Sequence, residues 1–146
     1  MEPAAAKEGY LISTDKNKID LDYVHGFLTR SYWTPGIARE KVKRAIEGSM
    51  CFGVYQNEQQ VGFARVITDQ ASFAYLCDVF IDEAHERKGL GKWLVETILA
   101  YPELQGLRRV MLATRDAHPL YEKCGFIMLS NPERWMTYTP EENKIK

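Results

Sequence analysis

Long apolar runs are missing from this 146-residue chain. No stretch approaches the roughly 18 residues needed to cross a bilayer, which excludes a helical membrane span. An excess of one charge is missing too. Lys plus Arg number 19 against 20 Asp plus Glu, a net charge of -1, so the electrostatic basis for binding nucleic acid is absent. Cysteine is scarce: Cys51, Cys77 and Cys124 are odd in number and far apart, with no C-x-x-C spacing. That argues against a disulfide framework or a metal site, and for reduced thiols packed as small hydrophobes. The start, Met1 to Lys7, carries Glu2 and no apolar core, so it is not a signal peptide and the cytoplasm is the expected compartment. Repeats, low-complexity tracts and linkers are also lacking, and residues 1–146 are expected to form one domain.

What is present is the alternating patterning of an α/β chain. After a loose start, residues 10–14 read as a strand. Asp20 can cap a helix with Leu21, Val24, Phe27 and Leu28 on one face. Pro35-Gly36 ends it, and a second amphipathic helix spans residues 38–47, stopped by Gly48. Residues 50–56 and 61–67 look like a hairpin around a polar turn. Residues 73–81 are almost continuously apolar, as in a central strand. Leu90, Trp93, Leu94, Ile98 and Tyr101 then recur at helical spacing up to Pro102. Residues 109–114 read as a strand, 116–124 as a short helix stopped by Gly125, and 126–129 and 134–139 as two final strands.

The most informative segment joins the apolar strand to the best helix, over residues 82–93. A strand-loop-helix junction aims free backbone N–H groups at one point, and the helix dipole adds positive potential there. Gly89 and Gly91 permit close backbone approach, while Arg87, Lys88 and Lys92 add full charges. The segment is built to cradle a phosphate. It is not a Walker loop, because Gly91-Lys92 is followed by Trp93. Nor is it a dinucleotide fingerprint, which needs a third glycine and follows a domain's first strand.

With these residues in view, the chain resembles the GNAT superfamily of acetyl-CoA-dependent N-acetyltransferases. The resemblance is sharpest in the apolar strand at residues 76–81, in the loop and helix at residues 86–99, and in Leu120-Tyr121-Glu122-Lys123-Cys124-Gly125-Phe126, which is similar to the family's L-Y-E-[KR]-x-G-F segment. It implies a GNAT-like acyl-CoA N-acyltransferase fold, mixed α/β with a central, mostly antiparallel twisted sheet flanked by helices. The co-substrate it implies is acetyl-CoA, with no metal. Its pantetheine arm would lie along Val79, Phe80 and Ile81, in a slot opened by splaying of the next strand. Its diphosphate would meet Glu86, Arg87, Lys88, Gly89, Leu90, Gly91 and Lys92. Two positions depart from the family pattern. Glu86 stands where the family has Gln or Arg, and Thr114 where many members carry Asn.

Acetyl transfer needs a neutral amine to attack the thioester, donors for the tetrahedral oxyanion and an acid for the departing thiolate. By resemblance Tyr121 is the candidate acid, set against a packed core tyrosine. Asp78, a carboxylate in an apolar strand, is either a base or cation holder or a structural hydrogen-bonding group. His118, three residues before Tyr121, is a second base candidate or a surface histidine. His85 and His25 are expected to be structural or exposed. Tyr32, Trp33 and Trp135 are candidates for the wall of the acceptor pocket, and Arg65 and Arg115 for holding a substrate carboxylate. The acceptor is an amine on a small molecule or peptide, and strand edges allow a homodimer by family analogy. Transfer of another acyl group, or a CoA-binding regulatory domain without catalysis, are the competing readings.

Overall fold

The computed structural model describes residues 3–144. Met1 and Glu2, part of the expected loose start, lie outside the described residues, as do the last two. The start is not loose throughout. Ala5–Lys7 forms β1 and pairs antiparallel with β2, Tyr10–Ser13, across a turn at Glu8-Gly9. Both turn residues have positive φ, 48° and 89°, the geometry that suits the twist of a two-residue hairpin. Helices α1, Leu21–Thr29, and α2, Arg39–Glu47, follow. The Asp20 side chain accepts the Tyr23 N–H at 3.0 Å, the expected cap. Gln60 fixes that cap from below: its Oε1 accepts the Asp20 N–H and its Nε2 donates to the Gly62 carbonyl.

Strands β3, Met50–Gln56, and β4, Gln59–Thr68, form the expected hairpin with a tighter turn at Asn57-Glu58. β5 is Phe73–Ile81, and β6, Arg109–Met111, follows helix α3, Leu90–Ala100. The six strands lie in one sheet in chain order, antiparallel except for the β5–β6 pair. That pair is parallel because α3 carries the chain back over the sheet between them. On one face α3 sets Leu90, Leu94, Val95 and Ile98 against Ile12, Phe52, Val54, Val66 and Leu76. On the other, α1 and α2 bury Val24, Leu28, Val42 and Ile46 over Cys51, Phe63 and Phe80.

β5 carries one extra residue. Phe63 pairs with Phe80 but Arg65 with Cys77, and Asp78 takes φ 55° in the bulge. The insertion rephases the strand, so Leu76, Val79 and Ile81 share the α3 core while Phe80 turns to the α1 core.

The C-terminal expectations need correction. The chain continues into α4, His118–Glu122, shorter than residues 116–124, and neither residues 126–129 nor residues 134–139 form a strand. β6 pairs over only three residues, and residues 112–114 leave the sheet, so its outer edge is too short to template another strand. Pro132 opens a 3₁₀ turn at Pro132–Arg134 that interrupts the apolar run. Ile127, Met128, Met136 and Tyr138 are exposed as a result. Among the described residues no helix is long and apolar enough to cross a membrane.

Candidate active site

The parallel ladder between β5 and β6 holds only from Phe73 to Tyr75. Beyond it, among the described residues, the β5 edge from Leu76 to Ile81 has no sheet partner on that side, so its backbone groups make no ladder bonds across it. β5 then leads through Asp82 into the loop that precedes α3.

Two left-handed residues shape that loop, Arg87 at φ 64° and Gly89 at φ 76°. Gly89 is the N-cap of α3 and offers no side-chain cap, so the first intrahelical bond runs from the Trp93 N–H to the Gly89 carbonyl. The amides of Leu90, Gly91 and Lys92 point out of the helix end without an intrahelical acceptor. A Cβ on Gly89 would meet open space, whereas one on Gly91 would rest against Leu120. The loop opens on a depression of about 420 Å³ lined by Ile81, Glu86, Arg87, Gly89, Lys92 and Lys123, among others. Lys123 is a cation that sequence spacing did not single out. Lys88, expected to face the anion, instead reaches Tyr10, its Nζ donating to the phenol oxygen at 3.2 Å.

The loop is anchored from behind. Asp82 Oδ1 accepts the Ala84 N–H, and its Oδ2 accepts the Tyr23 hydroxyl of α1. Burial, then the Asp82 charge, pushes the Tyr23 phenol well above its ordinary range, so it remains a donor.

Asp78 does not stand alone in its apolar strand. Its Oδ2 accepts from Arg65 Nε at 2.9 Å and its Oδ1 from Trp33 Nε1 at 2.9 Å. The pair is largely buried, with 16% and 9% of the Arg65 and Asp78 side chains exposed. Burial lowers the Arg65 pKa and the Asp78 contacts raise it, with a net upward shift. Arg65 is therefore committed to Asp78 rather than free for a substrate carboxylate. Trp33, fixed by this bond, meets Tyr32 edge-on at 5.1 Å and leans on Phe27, which stacks on Phe80 at 3.8 Å.

Tyr32 is gripped from the other side. The Arg115 N–H donates to its hydroxyl at 3.2 Å, and the Arg115 guanidinium lies 3.8 Å from its ring centroid. The break after α1 and the loop after β6 thus meet at the site. Trp135 is not part of this wall: its ring lies under the Arg109 guanidinium, at the opposite end of β6 from Thr114.

Tyr121 lies on α4 against Phe126. Burial, then the nearby Tyr32 and Cys124, raises its pKa to about 12, so the phenol keeps its proton across the physiological range. Tyr121, His118 and Thr114 line a groove of about 580 Å³ between β6 and the segment after α4. Leu120 and Lys123 face the loop depression instead, so α4 stands between the two spaces. Thr114 Oγ1 accepts the Ala117 N–H, which starts the α4 turn. Among the described residues no cluster of three or more His, Cys, Asp or Glu side chains could hold a metal ion.

The sequence profile of the acetyltransferase (GNAT) family matches residues 18–126. A protein of Gibberella zeae named as an acetyltransferase is 32% identical over 137 residues, covering 78% of this chain and 76% of that protein. The crystal structure of a GNAT-family acetyltransferase from Xanthomonas campestris superposes with a TM-score of 0.88 at 41% identity, covering 92% of this chain and 96% of the other. An acetyltransferase structure from Deinococcus radiodurans, at 18% identity and a TM-score of 0.73, shares the fold over 94% of this chain and 92% of its own.

Proposed function

The chain belongs to the acetyltransferase (GNAT) family and is an acyltransferase, and from that premise we propose that it moves an acetyl group from acetyl-CoA to a primary amine of a small molecule or peptide. The observation that carries this reading is the unpaired β5 edge running directly into the loop that opens α3. An extended amide-bearing arm can pair with such an edge while its diphosphate rests on the helix N-terminus. Arg87, Lys92 and Lys123 supply the side-chain charge there, against which Glu86 is a single opposing acid.

In the proposed reaction the amine lone pair attacks the thioester carbonyl carbon. The tetrahedral intermediate collapses with cleavage of the C–S bond, and the thiolate takes a proton from the Tyr121 hydroxyl. The nitrogen loses its extra proton, which restores the phenol through solvent or a base. Asp78 is a poor choice for that base because both its oxygens already accept hydrogen bonds. We assign it a positioning role, holding Trp33 at the acceptor side. His118 lines the groove with Tyr121 and has no hydrogen bond among the described residues, so it is the better base candidate. Tyr32 and Trp33 form the acceptor wall, and Arg115, laid over Tyr32, gives it a cationic rim.

Thiol release from acetyl-CoA, measured across a panel of amines, tests the activity. Amine-dependent release by the wild-type protein, falling about 100-fold in turnover in Tyr121→Phe with acetyl-CoA binding retained, is the expected result. Equal turnover in the two proteins would remove Tyr121 from the mechanism.

A further inference from the structure

Tyr10 is a buried residue of β2, far from the α3 loop in sequence, yet its hydroxyl meets two groups of that loop. It lies 2.8 Å from His85 Nδ1 and 3.2 Å from Lys88 Nζ. The His85 ring stands edge-on to the Tyr10 ring at 5.7 Å between centroids. An ammonium can only donate, so the phenol oxygen accepts from Lys88. The phenol's own proton then needs an acceptor, and His85 Nδ1 is the one in reach. That assignment makes Nδ1 the unprotonated nitrogen and puts the imidazole proton on Nε2. His85 also lines the depression in front of Gly89, Gly91 and Lys92, which Lys88 does not.

We propose that His85 is a further ligand of the cofactor's diphosphate, its Nε2–H presented to a phosphate oxygen by the Tyr10 hydroxyl. The inference rests on the acetyl-CoA reading above. His85 closes the 3₁₀ turn Glu83–His85 that joins β5 to the loop, so the same contact ties the first turn of the loop to β2. Lys88 enters as the group that orients the phenol, its charge held beside Tyr10 rather than in the depression. Tyr10 is accordingly a positioning residue, acting on the ligand only through His85.

Two cofactors separate this role from a merely structural one. Acetyl-CoA carries the diphosphate, and S-acetylpantetheine ends before it. Dissociation constants for both are to be measured on wild type, His85→Ala, Tyr10→Phe and the double variant. The expected result is a roughly tenfold weaker acetyl-CoA complex in His85→Ala, about fivefold in Tyr10→Phe, and no loss in the double variant beyond that of His85→Ala. S-acetylpantetheine should bind all four alike, and His85→Gln, which retains an N–H donor, should recover part of the loss. Acetyl-CoA bound equally well by wild type and both single variants would overturn the role of His85 and leave the cofactor assignment standing. Equal weakening for the two cofactors would reduce Tyr10 and His85 to structural residues. Failure of wild type to bind acetyl-CoA would overturn the cofactor assignment and this inference together.

Discussion

Tyr55 and Asp78 show how one side chain's hydrogen-bonding account decides its effect. The Tyr55 hydroxyl is buried with no partner among the described residues, over Gly53, where a Cβ would overlap the Tyr55 ring. An unsatisfied buried hydroxyl costs about 1 kcal/mol or more, so Tyr55→Phe should raise stability by about that amount in a denaturant titration. Asp78 is the opposite case, with both oxygens satisfied. Asp78→Ala leaves the Arg65 guanidinium buried beside no carboxylate and should lower stability by about 3 kcal/mol, measured the same way. The sequence alone marked Asp78 as anomalous, since a carboxylate in an apolar strand needs a partner. It did not identify Arg65, because their pairing depends on a bulge that shifts β5 by one residue against β4. The Tyr10–His85 contact was invisible for a similar reason: 75 positions separate the two residues, and only the fold brings them together.

At the scale of elements, local periodicity and caps carried most of the information. α1 with its Asp20 cap, α2 stopped by Gly48, and α3 all form close to where apolar spacing places them. The strands after α4 fail because a strand needs a neighbour as well as a pattern, and β6 offers only three paired residues. The turn between β4 and β5 shows the reverse, a local device that fixes a long-range pairing. Asp69 Oδ1 accepts from the Ala71, Ser72 and Phe73 amides, and Oδ2 from the Ser72 hydroxyl. The Ser72 hydroxyl and then these amides hold its pKa below the ordinary carboxylate range. A carboxylate depressed on folding stabilises the protein above its unfolded pKa of about 3.9, and that contribution is lost as pH falls through the folded value. Asp69→Asn should therefore be less stable than wild type near pH 6, the gap closing as melting is repeated at progressively lower pH. A gap independent of pH would assign the effect to geometry alone.

At the scale of the whole molecule, the proposed cofactor slot follows from a sheet that stops short. β5 outruns β6: the ladder ends at Tyr75, while β5 continues unpaired on that side to Ile81, where the chain enters the α3 loop. The order of elements and two separated motifs already pointed to this family, and the Xanthomonas campestris structure shares the fold over nearly the full chain. The proposed acceptor wall was not legible, because the break after α1 and the loop after β6 meet through Tyr32 and Arg115 only in three dimensions. The central claim is that this slot binds acetyl-CoA. The measurement that tests it most directly is thermal unfolding with acetyl-CoA, beside ATP and NAD as controls. At a hundred times its Kd, a ligand specific to the folded state adds about 2.7 kcal/mol, roughly 8 °C for a domain of this size. A shift of that order with acetyl-CoA, and none with ATP or NAD, is the predicted result. An unchanged melting temperature at millimolar acetyl-CoA, or an equal shift with all three, would contradict the account.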